Sequence, residues 1–136
     1  MTTSTTNYTI INLREAEDMA PKYGFDDVQE ARFVRDDLGC EQTGLSLQLT
    51  KPNQRGAFGH KHSKQEEIYV VVAGSGRVKV GDEVRELKAW DAVRVAPATP
   101  RAFEAGPDGL EYIAFGGPST GESDAELLKD FWPAED

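Results

Sequence analysis

The stretch Gly59-His60-Lys61-His62-Ser63-Lys64-Gln65-Glu66-Glu67-Ile68-Tyr69-Val70-Val71-Val72-Ala73-Gly74 holds both histidines of the 136-residue chain and sets them two residues apart. In an extended strand side chains alternate faces, so His60 and His62 point to the same side, about 7 Å apart along the backbone. That is a metal-ligand spacing. A carboxylate pair, Glu66 and Glu67, opens the β-branched run that follows, so an acidic group starts the next strand. By the period of two Glu67 shares a face with Tyr69 and Val71, whereas Glu66 falls on the other face and reads as a solvated charge.

Working outward, the chain is a series of short alternating segments separated by turn residues. Gly44 to Thr50 places Leu45, Leu47 and Leu49 on one face and Gly44, Ser46 and Gln48 on the other. Gly81-Asp82 between Val78-Lys79-Val80 and Val84-Arg85-Glu86-Leu87 is a two-residue hairpin signal. Glu30 to Arg35 and Trp90 to Val95 read as further strands. Gly76 to Val80 reads as a strand restarting after Gly74-Ser75. Arg101 to Glu104 and Leu110 to Phe115, joined by Gly106-Pro107-Asp108-Gly109, read as a last hairpin. About eight short strands in all argue for an antiparallel sandwich or barrel. Before them, Tyr8 to Leu13 is β-prone, and Arg14 to Ala20 can make one helical turn that Pro21 stops. After them, Leu127, Leu128, Phe131 and Trp132 stand at helical spacing, which predicts a short C-terminal helix over about 122–132.

Composition narrows the class. One domain fits 136 residues. The formal charge of -9 repels nucleic-acid backbones and anionic lipid, so neither is an expected partner. The single cysteine, Cys40, cannot close an internal disulfide and reads as a packed residue. No apolar run approaches a membrane span or a signal-peptide core, and the expectation is a soluble cytoplasmic protein. Serine-triad, cysteine-histidine and phosphate-loop patterns are missing from the sequence, so nucleophilic and nucleotide chemistry have no support in it.

The run His60-x-His62, four residues, Glu67, six residues, Gly74 resembles the first motif of the cupins. Trp90 to Ala105 resembles the second motif in part. Asp91 and Pro97 match, but Trp90 and Ala98 stand where that family has glycines, Arg101 where it has a histidine, and Ala105 where it has an asparagine. The resemblance covers about Gly44 to Phe115. It implies an all-β fold, a single antiparallel jelly-roll barrel (double-stranded β-helix) of about six to eight strands with its core over about 30–116. The N-terminal arm (1–29) and the C-terminal helix would lie outside, and a homodimer is the expected assembly. It also implies that His60, His62 and Glu67 line one pocket as a two-histidine, one-carboxylate metal set suited to iron(II), manganese, nickel or zinc.

Arg101 stands where the resemblance puts a fourth ligand. A guanidinium keeps its charge, and a divalent ion about 5 Å away would feel several kcal/mol of repulsion at an effective dielectric near 20. Three readings follow: a salt bridge from Arg101 to Glu67 that closes a metal-free site, an anchor for a substrate carboxylate beside a metal, or a surface residue outside the pocket. Tyr69 and Phe103 share faces with Glu67 and Arg101 and would wall a substrate pocket or pack in the core. Two functions are therefore expected. One is a metal-dependent cupin, an oxygenase or isomerase acting on a small anionic molecule. The other is a metal-free module that binds small carboxylates through Arg101.

Overall fold

The computed structural model describes residues 3, 4 and 7–132. An N-terminal arm begins with two two-residue strands, β1 (Thr3–Ser4) and β2 (Thr9–Ile10), paired antiparallel with each other. A 3-10 turn at Leu13–Glu15 is capped by the Asn12 side chain, and the short helix α1 (Ala20–Tyr23) follows. Pro21 does not stop this helix. It lies in the first turn, where its missing N–H would have no helical partner in any case. Strand β3 (Gln29–Phe33) and a second one-turn helix, α2 (Arg35–Leu38), lead to β4 (Gly44–Thr50).

The barrel continues with β5 (Gly59–His62), β6 (Glu66–Val80), β7 (Glu83–Lys88), β8 (Ala92–Val95), β9 (Arg101–Gly117) and β10 (Ala125–Leu128). All of their pairings are antiparallel. Two long strands organise it. The first part of β6 pairs with β8 and with the C-terminal part of β9, which in turn pairs β4 and then β3. The second part of β6 pairs with β7 and with Arg101 to Ala105 of β9, next to β5 and β10. The result is a two-walled all-β jelly roll in which β6 and β9 cross from one wall to the other.

This crossing corrects two sequence expectations. Gly74-Ser75-Gly76 does not end a strand, and Gly106 to Gly109 does not turn a hairpin. Ala105 pairs with Gly76 and Leu110 with Gly74, so β9 runs on beside β6 and the residues between them bulge out of the ladder. The hairpin at Gly81-Asp82 is present as expected.

A third correction concerns the C-terminus. Residues 125–128 form a strand, not part of a helix, and β10 pairs Ala125 with His62 and Leu128 with Gly59. A β-ladder with a strand some sixty residues upstream overrides the local helical spacing.

The core is Tyr69, Val71, Val78, Val95, Phe103, Leu110, Tyr112 and their neighbours. Phe103 lies against Tyr112 with ring centroids 4.4 Å apart, and Tyr69 is 4.9 Å from Phe103. The small, polar face of β4 meets this core, since Ser46 and Gln48 pair with Ala114 and Tyr112. Its leucines lie on the opposite face, beside Phe115, Ile113 and Glu111; Leu47 is buried there, and Arg14 of the N-terminal arm bonds the Glu111 carboxylate at 2.8 Å. Trp90 occupies a left-handed turn position, with φ of 75°, and is exposed. No helix among the described residues is long and apolar enough to cross a membrane.

Candidate metal centre

Strand β5 presents His60 and His62 to the barrel interior, with Lys61 between them on the other face. The first residues of β6 bring Glu67 opposite. Glu67 Oε1 lies 3.2 Å from His60 Nε2 and 3.1 Å from His62 Nε2, and it accepts a short hydrogen bond from the Tyr69 hydroxyl. One ligand atom from each of His60, His62 and Glu67 can be chosen so that all lie within 4.8 Å of one another. The three donors are of the types that suit a divalent transition ion, and since two bonds of about 2.1 Å span at most about 4.2 Å, metal uptake would draw them closer together. The neighbouring carboxylate is excluded from this cluster, because Glu66 points outward and pairs with Arg94 at 2.6 Å.

Arg101 is fully buried, opposite His60 in the ladder, and its guanidinium is 3.9 Å from Glu67 Oε1. It is therefore not a surface residue. Its terminal nitrogens donate to the carbonyls of Val95, Ala96 and Pro97 at 3.3 to 3.5 Å, and its Nε has no hydrogen-bond partner. The side chain props the turn after β8 and holds a positive charge behind Glu67. The aromatic rings of Tyr69, Phe103 and Tyr112 pack together in the barrel interior.

A further polar group was not legible in the sequence. Asp124, just before β10, holds His62 Nδ1 at 2.7 Å through Oδ1. Its Oδ2 accepts from the backbone N–H groups of Lys64 and Gln65 at 2.6 and 2.9 Å, and the Gln65 side chain donates to Oδ1 at 3.0 Å. No spacing rule links a carboxylate to a histidine 62 residues away. Only the β5–β10 ladder brings them together.

Electrostatics follow from these contacts. Burial alone would raise Glu67, but hydrogen bonds from His60, His62 and Tyr69 hold it well below the usual carboxylate range. Burial works the same way on Asp124 and is outweighed by His62 and the Gln65 and Lys64 amides, which hold its carboxyl low as well. Burial would lower His62, yet Glu67 and Asp124 on its two ring nitrogens raise it above its ordinary 6.5. Burial and the Glu67 charge push Tyr69 well above its ordinary value, so it stays a neutral phenol that donates.

A raised His62 contributes stability that is complete below about 6.5 and lost as pH climbs through its folded-state value. Depressed Glu67 and Asp124 contribute stability that is complete above their ordinary values of 4.5 and 3.8 and lost on acidification. The thermal midpoint of the metal-free protein should accordingly be highest between about pH 4.5 and 6.5 and fall on the alkaline side. His62→Gln should remove the alkaline fall, and an unchanged profile in that variant would show that His62 is not its source.

The sequence profile of the family described as Cupin domain matches residues 46–114. An uncharacterized protein of Methanocaldococcus jannaschii is 32% identical over 71 residues, which span 52% of this chain and 57% of that protein. A cupin protein from Bacteroides fragilis superposes with a TM-score of 0.67 at 22% identity, covering 88% of this chain and 91% of its own. A deletion mutant of Bacillus subtilis oxalate decarboxylase gives 0.71 at 18% identity over 88% of this chain, but only 31% of its own length is involved. The Streptomyces protein PAC13, solved with uridine, gives 0.69 at 15% identity over 93% of this chain and 92% of its own.

Proposed function

This chain belongs to the cupin family, and from that premise we propose that it holds a divalent transition metal between His60, His62 and Glu67 and offers the open coordination positions to a small anionic ligand. The observation that carries this reading is the convergence of three ligand atoms from two different strands to within 4.8 Å. A metal held there by His60, His62 and Glu67 would supply Lewis acidity to an oxygen of the ligand. The chain's own groups set the conditions. Tyr69 donates to Glu67 and fixes the carboxylate, and the packed aromatic rings keep water from the barrel interior.

Arg101 supplies the argument for an anion. Its charge cannot be discharged and its side chain is walled in, so metal and guanidinium together leave the site rich in positive charge. A small carboxylate bound at the open positions offsets that excess without needing contact with Arg101. The oxalate decarboxylase among the structural neighbours is named for such a substrate, which supports the class by analogy of fold alone.

A metal-free binding module is the second reading, favoured by the hydrogen bonds that already satisfy Glu67 from several sides. Elemental analysis of protein purified without an affinity tag decides between them. Near-stoichiometric transition metal is the expected result, and none would favour the module. Arg101→His should raise zinc or manganese affinity tenfold or more in calorimetric titration, by adding a neutral imidazole ligand and removing a positive charge. No gain would mean that the Arg101 charge does not limit metal binding. We also propose a homodimer. Phe33 is exposed at the end of β3, the terminal strand of its wall, and offers an apolar surface to a second copy. Light scattering at monomer mass under micromolar conditions would sink it.

A further inference from the structure

We propose that Asp124 is a positioning residue for the metal centre, fixing His62 in the tautomer that keeps the Nδ1 proton and aims a bare Nε2 at the ion. The inference rests on the metal reading above. It stands on where the four donors around this carboxylate come from. Backbone N–H groups of Lys64 and Gln65 reach Oδ2, and the Gln65 side chain and His62 Nδ1 reach Oδ1. Three of these four donors are independent of His62, so the carboxylate is anchored first and the imidazole is oriented by it.

His62 is also gripped at its backbone, whose N–H donates to Pro97 O at 2.8 Å. Carboxylates face both ring nitrogens, Asp124 Oδ1 at 2.7 Å from Nδ1 and Glu67 Oε1 at 3.1 Å from Nε2. A neutral ring has one proton to give, and it goes to the nearer Asp124, because Glu67 Oε1 already accepts from Tyr69. His60 differs, because its contacts with Glu67 and Tyr69 are all made through Nε2. The two histidines are thus unequal ligands. A carboxylate behind a ligating imidazole both orients the ring and raises its basicity.

The test is Asp124→Asn. An asparagine has one acceptor oxygen and one donor NH2. The oxygen goes to the two backbone amides, which cannot turn away, and the NH2 then faces His62. Nδ1 must become an acceptor, and the proton moves to Nε2, the nitrogen the metal needs. Long-range proton–nitrogen correlation spectra of the metal-free protein, taken where the ring is neutral, should show the Nδ1–H form in the parent and the Nε2–H form in D124N. Calorimetry with zinc should show affinity falling about 10- to 100-fold in D124N.

Gln65→Ala removes one donor from Asp124 while leaving its bond to His62, and should keep the parent tautomer and zinc affinity within about threefold. An Nε2–H ring in the parent overturns the proposal without recourse to any variant. An equal loss of affinity in D124N and Q65A also overturns it, because Asp124 would then act only by holding the turn. If the parent takes up no zinc, the metal reading fails, while the tautomer comparison still decides what Asp124 does to His62.

Discussion

Glu67→Gln should lower zinc or manganese affinity by at least a hundredfold, a larger loss than outer-shell changes give, and destabilise the metal-free protein by about 2–4 kcal/mol. Both effects come from one atom. Glu67 Oε1 is the shared acceptor for His60, His62 and Tyr69, and the carboxylate is the acidic neighbour of the buried Arg101 guanidinium. Glutamine keeps the volume but leaves a buried positive charge without its counterion, and that is the costly way to break such a pair. Glu66→Gln is the comparison, since its bond to Arg94 is exposed and should be worth no more than about 0.5 kcal/mol. Calorimetric titration and denaturant unfolding of both variants measure the difference. Similar losses in the two would mean that the face assignment of this carboxylate pair is wrong.

Gly74→Ala should be the most damaging small change in the barrel. Gly74 has φ of +77°, a region that costs an L residue about 1–2 kcal/mol. An added Cβ would stand 1.9 Å from the Gly109 carbonyl oxygen, a backbone atom that cannot swing aside. Relief requires parting β6 from β9 where both strands cross between the walls. A cost on the order of 4 kcal/mol, or about 10–15 °C in thermal midpoint, is expected. Gly81→Ala separates the two causes. Gly81 is also left-handed, at φ of +58°, but nothing lies within 4 Å of its would-be Cβ, so only about 1–2 kcal/mol should be lost. Equal losses would mean that the close approach contributes nothing.

The parts of this fold that sequence could reveal are those governed by short-range periodicity. Alternation placed His60 beside His62, Glu67 beside Tyr69, and the leucines of β4 on one face, because side-chain direction in a strand depends only on neighbouring residues. The hairpin at Gly81-Asp82 was legible for the same reason. What was not legible depends on partners far along the chain. Gly74 and Gly76 look like turn residues, but they are glycines because β9 passes too close for side chains. Leu127 and Leu128 look like a helix face, but they are in a strand because β5 offers an edge. Arg101 could be drawn as bridge, anchor or surface group; its full burial removes only the last, and its carbonyl partners and its 3.9 Å approach to Glu67 depend on the fold.

The β5–β10 ladder has a kinetic consequence. Residues 125–127 of β10 are exposed, so the strand buries little apolar surface and is held mainly by its backbone ladder. Segments of that kind open locally, at a small fraction of the free energy needed to unfold the whole domain. Each such opening would bare the edge of the strand that carries both histidines, while the aromatic interior stays folded. The exchange rate of anything bound at the histidines is then tied to the hydrogen-exchange rate of the β10 amides that bond to β5, and not to the lifetime of the barrel.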